Sequence, residues 1–421
     1  MHLNFESYFI RSIILTRNHL RSDYLERAVG TVVRGLRAPI IKEGDNLVDI
    51  VVDTVINAAD SEGYELKDQD IIALTESIVA RPQGNYASID DIAKDIESKY
   101  GDQKLGILFP ILSRNRFMNL LKGFARGAKD IVIQLSYPSD EVGNHLISVD
   151  QLDESGINPW SDLLSEEEFE EHFGKTSHPF TGVDYIELYR EVVESEGKNC
   201  TIIFSNNPED ILDYTDSVLI SEVHTRKRTR RILKEAGAKS VYDLGDILSE
   251  PVSENGGFNK EFGLLGANNA SDEKVKLFPS HSQEIVEAIQ EKLKERTGKT
   301  IEAMVYGDGA FKDPVGKIWE LADPVVSPGF TSGLIGTPNE VKIKYLADNA
   351  YSDLKGDELG DAIRSSISQK EEQAINAQAS LGTTPRQLTD LIGSLADLTS
   401  GSGDKGTPFV YIQGYFDDYS N

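Results

Sequence analysis

Asp70-Ile-Ile-Ala-Leu-Thr75 decides the fold, together with the segment that follows it, Glu76-Ser-Ile-Val-Ala-Arg-Pro-Gln-Gly84. An unbroken apolar run between polar ends predicts a strand that is buried on both faces of a sheet. The proline and glycine of the second segment predict a loop just beyond the end of this strand. Since α/β sheets usually bind ligands at strand ends, the pair of segments predicts an α/β fold and a binding loop.

Short apolar runs alternate with amphipathic stretches on both sides of this strand. Upstream, Thr31-Val-Val33 predicts a strand, Gly35 to Pro39 a turn, and Asp49 to Ala59 a helix. Downstream, strands are predicted at Ile301-Glu-Ala-Met-Val-Tyr306 and Phe409-Val-Tyr-Ile-Gln413. Helices are expected at about 282–297, 340–370 and 385–399, and a Gly/Pro-rich stretch before residue 338. This alternation predicts mixed α/β sheets.

The middle of the chain has an α/β rhythm of its own. Strands are predicted at 130–135, 201–204 and 217–220, and an amphipathic helix from Arg226 to Ala236, closed by Gly237. We therefore predict a self-contained, Rossmann-like βα module over residues 105–257, and an N-terminal extension over residues 1–26.

Composition excludes several classes of protein. A chain of 421 residues with 39% apolar residues can bury a large core in two domains, or in one domain with an insertion. Its 43 basic and 70 acidic side chains give a formal net charge of −27, which should repel nucleic acid and anionic membranes. No run approaches the roughly 20 apolar residues that a membrane span needs. Cys200 is the only cysteine, which excludes internal disulfides and fits a soluble, cytoplasmic protein.

The segment Gly307-Asp308-Gly-Ala-Phe-Lys312-Asp313-Pro314 is the strongest candidate for a chemical site. It places two carboxylates and a lysine on a glycine-flanked turn after a strand, and Mg²⁺ or Mn²⁺ prefers such hard oxygen ligands. Asp308 is the best candidate metal ligand. The alternative is an ordinary Asp-Gly turn in which the side chain only caps its own backbone.

A second polar loop precedes the predicted helix at residue 282. Its Asn268, Asn269 and Asp272 could bind a divalent cation or a nucleotide, and Asp272 could share a metal with Asp308 if the two loops converge. The alternative is an ordinary helix entry. The chain lacks the spacing of a phosphate-binding loop, because Leu293 stands where that motif would need glycine. Any phosphate site must therefore combine several loops.

Together these loops resemble the γ-glutamyl ligase family that adds glutamate to coenzyme F(420)-0. The matching segments are a first nucleotide loop at 34–45, a strand-exit loop at 75–84, a loop with a metal-binding aspartate at 267–272, a segment ending in a metal-binding Asp-Thr pair at 296–309, and a last nucleotide loop at 398–408. Gly309 replaces the family's threonine, and Ser402 stands where the family has a metal-binding Gln or Glu.

The resemblance implies roles for individual residues. It implies metal binding by Asp272 and Asp308, and catalytic contacts with phosphate by Asp308, Lys312 and Arg81. The implied nucleotide contacts are Arg34, Gly35, Leu36, Arg37, Glu76, Ser77, Arg81, Gly401, Ser402 and Gly403.

The resemblance also implies a fold and an activity. The ligase core would comprise residues 27–104 and 258–421, interrupted by the module at 105–257. GTP, or else ATP, would activate an acid acceptor as an acyl phosphate with Mg²⁺ or Mn²⁺, and L-glutamate would then attack it. Two alternatives stay open: folate or another acid as acceptor, and a non-catalytic nucleotide- or metabolite-binding protein. A homodimer is possible, and the sequence leaves the subunit count open.

Overall fold

A five-stranded and a six-stranded sheet organise the chain. The computed structural model describes residues 29–178, 181–254, 256–307, 310–312, 319–321, 326–370, 386–400 and 404–420. In chain order, the strands are β1 (Val32–Leu36), β2 (Ile71–Thr75), β3 (Tyr86–Ser88), β4 (Leu105–Leu108), β5 (Ile131–Leu135), β6 (Leu164–Ser165), β7 (Cys200–Phe204), β8 (Ser217–Ile220), β9 (Ser240–Asp243), β10 (Asn268–Ser271), β11 (Lys274–Lys276), β12 (Glu302–Gly307), β13 (Ala310–Lys312), β14 (Trp319–Leu321), β15 (Val326–Phe330) and β16 (Phe409–Gln413).

The helices alternate with these strands. They are α1 (Leu47–Glu62), α2 (Glu76–Gln83), α3 (Ile89–Tyr100), α4 (Arg114–Gly127), α5 (Val149–Ser155), α6 (Glu166–Phe173), α7 (Tyr185–Ser195), α8 (Arg226–Glu235), α9 (Ser282–Thr297), α10 (Ile343–Tyr345), α11 (Gly356–Ser368) and α12 (Leu388–Thr399). Short 3-10 turns lie at Pro208–Asp213 and Ser332–Leu334, and a π-helical turn at Leu346–Ala350. The predicted α/β fold is confirmed. In the described ranges, no helix has both the length and the apolar character needed to cross a membrane.

The five-stranded sheet has the order β1-β16-β2-β12-β15, with β2 parallel to β12 and antiparallel to β16. The predicted strand β2 is buried on both faces, because its side chains alternate between two layers of helices. Ile72 and Leu74 pack in a cluster with residues of α1 and α9. Ile71 and Ala73 pack in a second cluster that includes α12.

The predicted loop at 76–84 is instead the helix α2, so this prediction was wrong. Thr75 begins the helix, since its hydroxyl accepts a hydrogen bond from the Ile78 N–H at 3.3 Å. Pro82 lies one residue from the helix end and removes only one backbone donor, so the short helix tolerates it. Gly84 then ends α2 with φ of +63°. The turn predicted at 35–39 is also shorter, because β1 extends through Leu36 by pairing with β16.

The six-stranded sheet has the order β6-β7-β5-β4-β8-β9, and β6 is its antiparallel edge. The other strands are parallel and follow the order of a doubly wound fold, in which β5 and β7 are added on one side of β4, and β8 and β9 on the other. The strands predicted at 130–135, 201–204 and 217–220 are confirmed. Gly237, with φ of +96°, follows the predicted helix at 226–236. All strands of this sheet lie within the segment expected as an insertion, whose status as a separate domain remains a prediction.

A three-stranded sheet, β10-β11-β3, lies between these two units. The prediction of a polar loop at Asn268, Asn269 and Asp272 was wrong for its first part, because Asn268–Ser271 pairs with Lys274–Lys276 as a hairpin. The helix-entry alternative is also excluded, since α9 begins only at Ser282. Val275 is fully buried beneath α3 and α4, which explains why this polar segment folds as a strand.

Strands also interrupt two segments that were predicted to be irregular. Ala310–Lys312 pairs with Trp319–Leu321, and β15 follows within the Gly/Pro-rich stretch. The sequence gives little sign of these strands, because glycine and proline dominate between them. β13 pairs with β14, and β15 pairs with β12. These pairings override the local preference of glycine and proline for irregular structure.

Two glycines that both have φ in the left-handed region provide a test of the packing. Gly63 and Gly263 have φ of +71° and +54°, but a Cβ at Gly63 would meet open space, whereas one at Gly263 would lie 2.5 Å from the Gly245 carbonyl oxygen. Gly63→Ala should lower the free energy of unfolding by about 1 kcal/mol through backbone strain. Gly263→Ala should lower it by about 1–3 kcal/mol more, because backbone atoms must move. Chemical denaturation measures both, and equal losses would contradict the close approach.

Candidate functional site

Four segments of the chain meet at one edge of the five-stranded sheet. Strands β1, β2 and β12 end at this edge, and β16 begins there, as their pairing requires. The Ala38 N–H donates to the Gly406 carbonyl at 3.0 Å, and the Thr75 N–H donates to the Pro408 carbonyl at 3.3 Å. The segments predicted as the first loop, the strand-exit loop and the last loop are thereby held together. We call this side of the sheet the exit edge.

Helix α2 places three of the predicted residues at the exit edge. Glu76 and Ser77 form its first turn, and Arg81 is one turn further along the face of Ser77. The Glu76 carboxylate lies over the end of β12, since a Cβ at Gly307 would be 3.1 Å from its Oε2. Ser77 is half-buried and Arg81 is exposed. The two strand ends therefore share a carboxylate, a hydroxyl and a guanidinium.

Lys276 joins this group, although the sequence interpretation missed it. Its ammonium donates a hydrogen bond to the Ser77 hydroxyl. Burial lowers the pKa of the Lys276 ammonium, the Glu76 carboxylate opposes this shift, and the Arg81 guanidinium adds to it. The alternation Lys274-Val-Lys276 is a signal that could have indicated a strand with one polar face. Nothing in the local sequence links this strand to Ser77.

Asn268, a predicted candidate, lies beside Lys276. The two residues are direct partners in the β10–β11 ladder, and Tyr86 is the partner of Lys276 on the other side. Direct partners in antiparallel strands present their side chains on the same face. Asn268, Lys276 and Tyr86 therefore form a row across the three-stranded sheet, on the face that reaches α2 through Ser77.

Arg34 does not join the exit edge. Its guanidinium lies 4.0 Å from the centre of the Tyr64 ring and donates to the Gln413 side chain at 3.3 Å. Gln413 in turn donates to Asp70, which precedes β2 at the opposite edge of the sheet. Arg37, by contrast, follows β1 directly at the exit edge and is exposed. Gly35 and Leu36 are the last residues of β1, and both are paired with β16.

Asp272 and Asn269 lie away from the row formed by Lys276. Asp272 is exposed in the turn that joins β10 to β11, at the other end of the hairpin from Lys276. Asn269 faces α4, where its side-chain amide donates to the Arg114 carbonyl at 3.2 Å. The neighbouring Glu273 forms ion pairs with Lys122 and Arg126 of α4.

Most of the remaining predicted residues lie outside the described ranges. Asp308, Asp313, Gly401, Ser402 and Gly403 lie outside the described residues, and Lys312 lies in β13. Within the described ranges, no group of three or more His, Cys, Asp or Glu side chains is arranged to hold a metal ion. The convergence of Asp272 with Asp308 stays a prediction.

The family model for F(420)-0:gamma-glutamyl ligase matches residues 35–414, nearly the whole chain. The protein belongs to this family. The predicted resemblance is therefore confirmed, and the family is one of ligases that form γ-glutamyl amide bonds. The match begins near the end of β1 and extends just past β16, so it includes the strand ends that form the exit edge.

Other comparisons add little to this family assignment. No curated protein is significantly similar to the chain. Among solved structures, the chain is similar to the biosynthetic arginine decarboxylase from Campylobacter jejuni, with 10% identity, 88% of this chain and 68% of that chain covered, and a TM-score of 0.15. So low a score carries no argument about fold or function.

The different surroundings of two arginines predict different effects on stability. Arg34→Met should lower the free energy of unfolding by about 1–2 kcal/mol, because it removes the contact with the Tyr64 ring and a partly buried hydrogen bond. Arg81→Met, at an exposed position, should change it by less than about 0.5 kcal/mol. Urea denaturation followed by fluorescence measures both variants. A larger loss for Arg81→Met would contradict this division of roles.

Proposed function

We propose that the protein is a nucleotide- and metal-dependent ligase that forms a γ-glutamyl amide bond through an acyl phosphate. The observation that carries this proposal is the exit edge, where a γ-glutamyl ligase family member groups Ser77, Arg81 and Lys276 around Glu76, whose carboxylate adjoins Gly307 at the end of β12. Cations and a hydroxyl at the ends of parallel strands are suited to binding phosphates. The protein is otherwise strongly acidic, so this cluster stands out.

The reaction would proceed in two steps. A carboxylate oxygen of the acceptor acid attacks the γ-phosphorus of GTP or ATP, the bond from this phosphorus to the β–γ bridging oxygen breaks, and the nucleoside diphosphate leaves. The amine of L-glutamate then attacks the acyl carbon and loses a proton, while inorganic phosphate leaves with the bonding electrons. Hydrolysis of the nucleotide thus drives an amide synthesis that is unfavourable in water.

The residues at the exit edge have proposed roles in this reaction. Arg81 and Ser77 would contact phosphate oxygens, and the backbone of Gly35 and Leu36 would border the nucleotide together with Arg37. Lys312 and the glycine-rich segment Gly401, Ser402 and Gly403 are proposed as further phosphate contacts from the family resemblance. Arg34 has a structural role instead, since it contacts Tyr64 and Gln413.

The family implies a divalent metal, for which carboxylates are suitable ligands. Asp308 directly follows Gly307 in the sequence and is the proposed principal ligand, and Asp272 is the proposed second ligand. The described residues do not assemble a complete metal site by themselves. When bound, Mg²⁺ or Mn²⁺ would neutralise charge on the phosphates. The protein side chains would orient the nucleotide and exclude water from the acyl phosphate.

A non-catalytic nucleotide- or metabolite-binding protein is the second candidate. It is favoured by Gly309 and Ser402, which replace two metal-binding side chains of the family. Such a protein would keep the exit edge but would not release phosphate. The two candidates therefore differ in turnover and not in nucleotide binding.

A phosphate-release assay tests the ligase proposal. It would combine GTP or ATP, Mn²⁺ or Mg²⁺, L-glutamate and a panel of acids that includes coenzyme F(420)-0 and folates. We expect one phosphate for each amide bond formed, and no release when any component is omitted. Asp308→Asn should reduce turnover about 100-fold or more, because a metal supplies several kcal/mol of charge stabilisation. Asp60→Asn, on the exposed part of α1, is the matched control, and its turnover should equal that of the unmodified protein.

The possible outcomes separate the two candidates. Nucleotide binding without phosphate release for any acid would favour the non-catalytic protein. Full activity of Asp308→Asn would remove this residue from the mechanism while leaving the ligase proposal intact.

The two arginines should also differ in nucleotide binding. Arg81→Met should raise the dissociation constant of GTP or ATP at least about tenfold, as expected from the loss of a hydrogen bond to a charged group. Arg34→Met should leave it within about twofold once its lower stability is taken into account. Isothermal titration calorimetry provides both values. The reverse pattern would place the nucleotide at the edge near Asp70.

A further inference from the structure

We infer that Lys276 is a phosphate-binding residue of this ligase, and that it contacts the nucleotide directly through its ammonium. The residue lies outside every segment that the family resemblance identified, and it reaches the site from β11. This inference rests on the proposed function, because it assigns a partner within the same nucleotide site. It adds a third cationic side chain to the exit edge, besides Arg81 of α2 and Arg37 after β1.

The first argument comes from the partner of the ammonium. Lys276 is half-buried, and the hydrogen-bond acceptor that the described residues offer its ammonium is the neutral hydroxyl of Ser77. Placing a cation in a partly desolvated position is unfavourable unless an anion or several strong acceptors compensate it. The Glu76 carboxylate compensates part of this charge, and a bound phosphate would compensate the rest. The lowered pKa of Lys276, which burial causes, agrees with a cation that is under-compensated before ligand binds.

The second argument comes from the arrangement of charges. Glu76 and Arg81 both act electrostatically on Lys276, so two cations and one carboxylate share this corner of the exit edge. Two like charges that converge on one point favour an anion between them. Since Glu76 also lies over Gly307, the same corner adjoins the end of β12. A phosphate chain that follows the two strand ends would pass beside Lys276.

The third argument is that the lysine is held by a rigid element. β11 is the middle strand of its sheet, between β10 and β3, and the neighbouring Val275 is fully buried under α3 and α4. A cation on such a strand is better positioned than one on a loop, since its backbone cannot move freely. Lys274 has the same side-chain type and lies on the same face two residues earlier, but it is exposed and pairs with Ser88. It is therefore a matched control.

The test compares Lys276→Met, Lys276→Arg and Lys274→Met in the full-length protein. Titration calorimetry with GTP, GDP and guanosine, or with ATP, ADP and adenosine, would measure binding in the presence of Mg²⁺. We expect Lys276→Met to raise the dissociation constant of the triphosphate about 10- to 100-fold and leave that of the nucleoside within about twofold. Lys274→Met should change neither value by more than about twofold. Lys276→Arg should retain most of the affinity, since it keeps the charge.

The pH dependence gives a second readout that a merely structural role would not change. Because the pKa of Lys276 is lowered, triphosphate affinity should fall as the pH rises through that pKa and the ammonium loses its proton. Lys276→Arg should move this fall to higher pH, since a guanidinium stays charged. Thermal unfolding of each variant checks that the fold is retained.

Three outcomes would overturn the inference or its basis. Unchanged triphosphate binding by folded Lys276→Met would refute the role of Lys276 while leaving the ligase proposal in place. An increase only in the KM of the acid acceptor would assign Lys276 to the acceptor and refute its contact with the nucleotide. Absence of any nucleotide binding by the unmodified protein would instead refute the proposed function, and the inference with it.

Discussion

The parallel pairing of β2 with β12 is the constraint on which the site depends. Leu74 is paired with Val305 and Thr75 with Tyr306, so the two strands end together although they lie far apart in the chain. Every side chain from Ile71 to Leu74 is fully buried, with helices on both faces. A register shift of one residue would exchange the two sets of buried side chains and move Thr75, together with the start of α2, relative to the end of β12. The core therefore fixes where Glu76 and Ser77 lie.

The two edges of this sheet satisfy their polar groups in different ways. At the edge opposite the exit edge, buried Asp70 accepts hydrogen bonds from the Tyr411 hydroxyl at 2.6 Å and the Gln413 amide at 3.1 Å. Burial and the Asp70 carboxylate raise the pKa of Tyr411, so its hydroxyl remains a donor. This acidic group is thus compensated within the protein. At the exit edge, Arg81 and Lys276 converge beside the Glu76 carboxylate, and this excess of positive charge is what the proposed phosphate site would use.

Sequence patterns predicted the strands of the core well but not the positions of all site residues. Continuous apolar runs identified β2, β12 and β16, because buried strands of this kind have few alternatives. Pro82 and Gly84 hid the helix α2, since their local preference is for a loop while the Thr75 cap and burial of Val79 favour the helix. The side-chain orientation of Arg34, toward Tyr64 and Gln413, could not be predicted either. It depends on the pairing of β1 with β16, which a motif does not contain.

The position of Lys276 could not be predicted from a local pattern, because its contact with Ser77 depends on packing against the six-stranded unit. Ala87 and Val275 of the three-stranded sheet share one buried cluster with Leu121 and Phe124 of α4. Arg126 of α4 strengthens this junction by pairing with Asp90 of α3 and Glu273 of the hairpin. If the six-stranded unit packed only on itself, the apolar face of β11 would be exposed and its lysine would not be held at the exit edge. The predicted insertion therefore helps to build the site, through the strand that it covers.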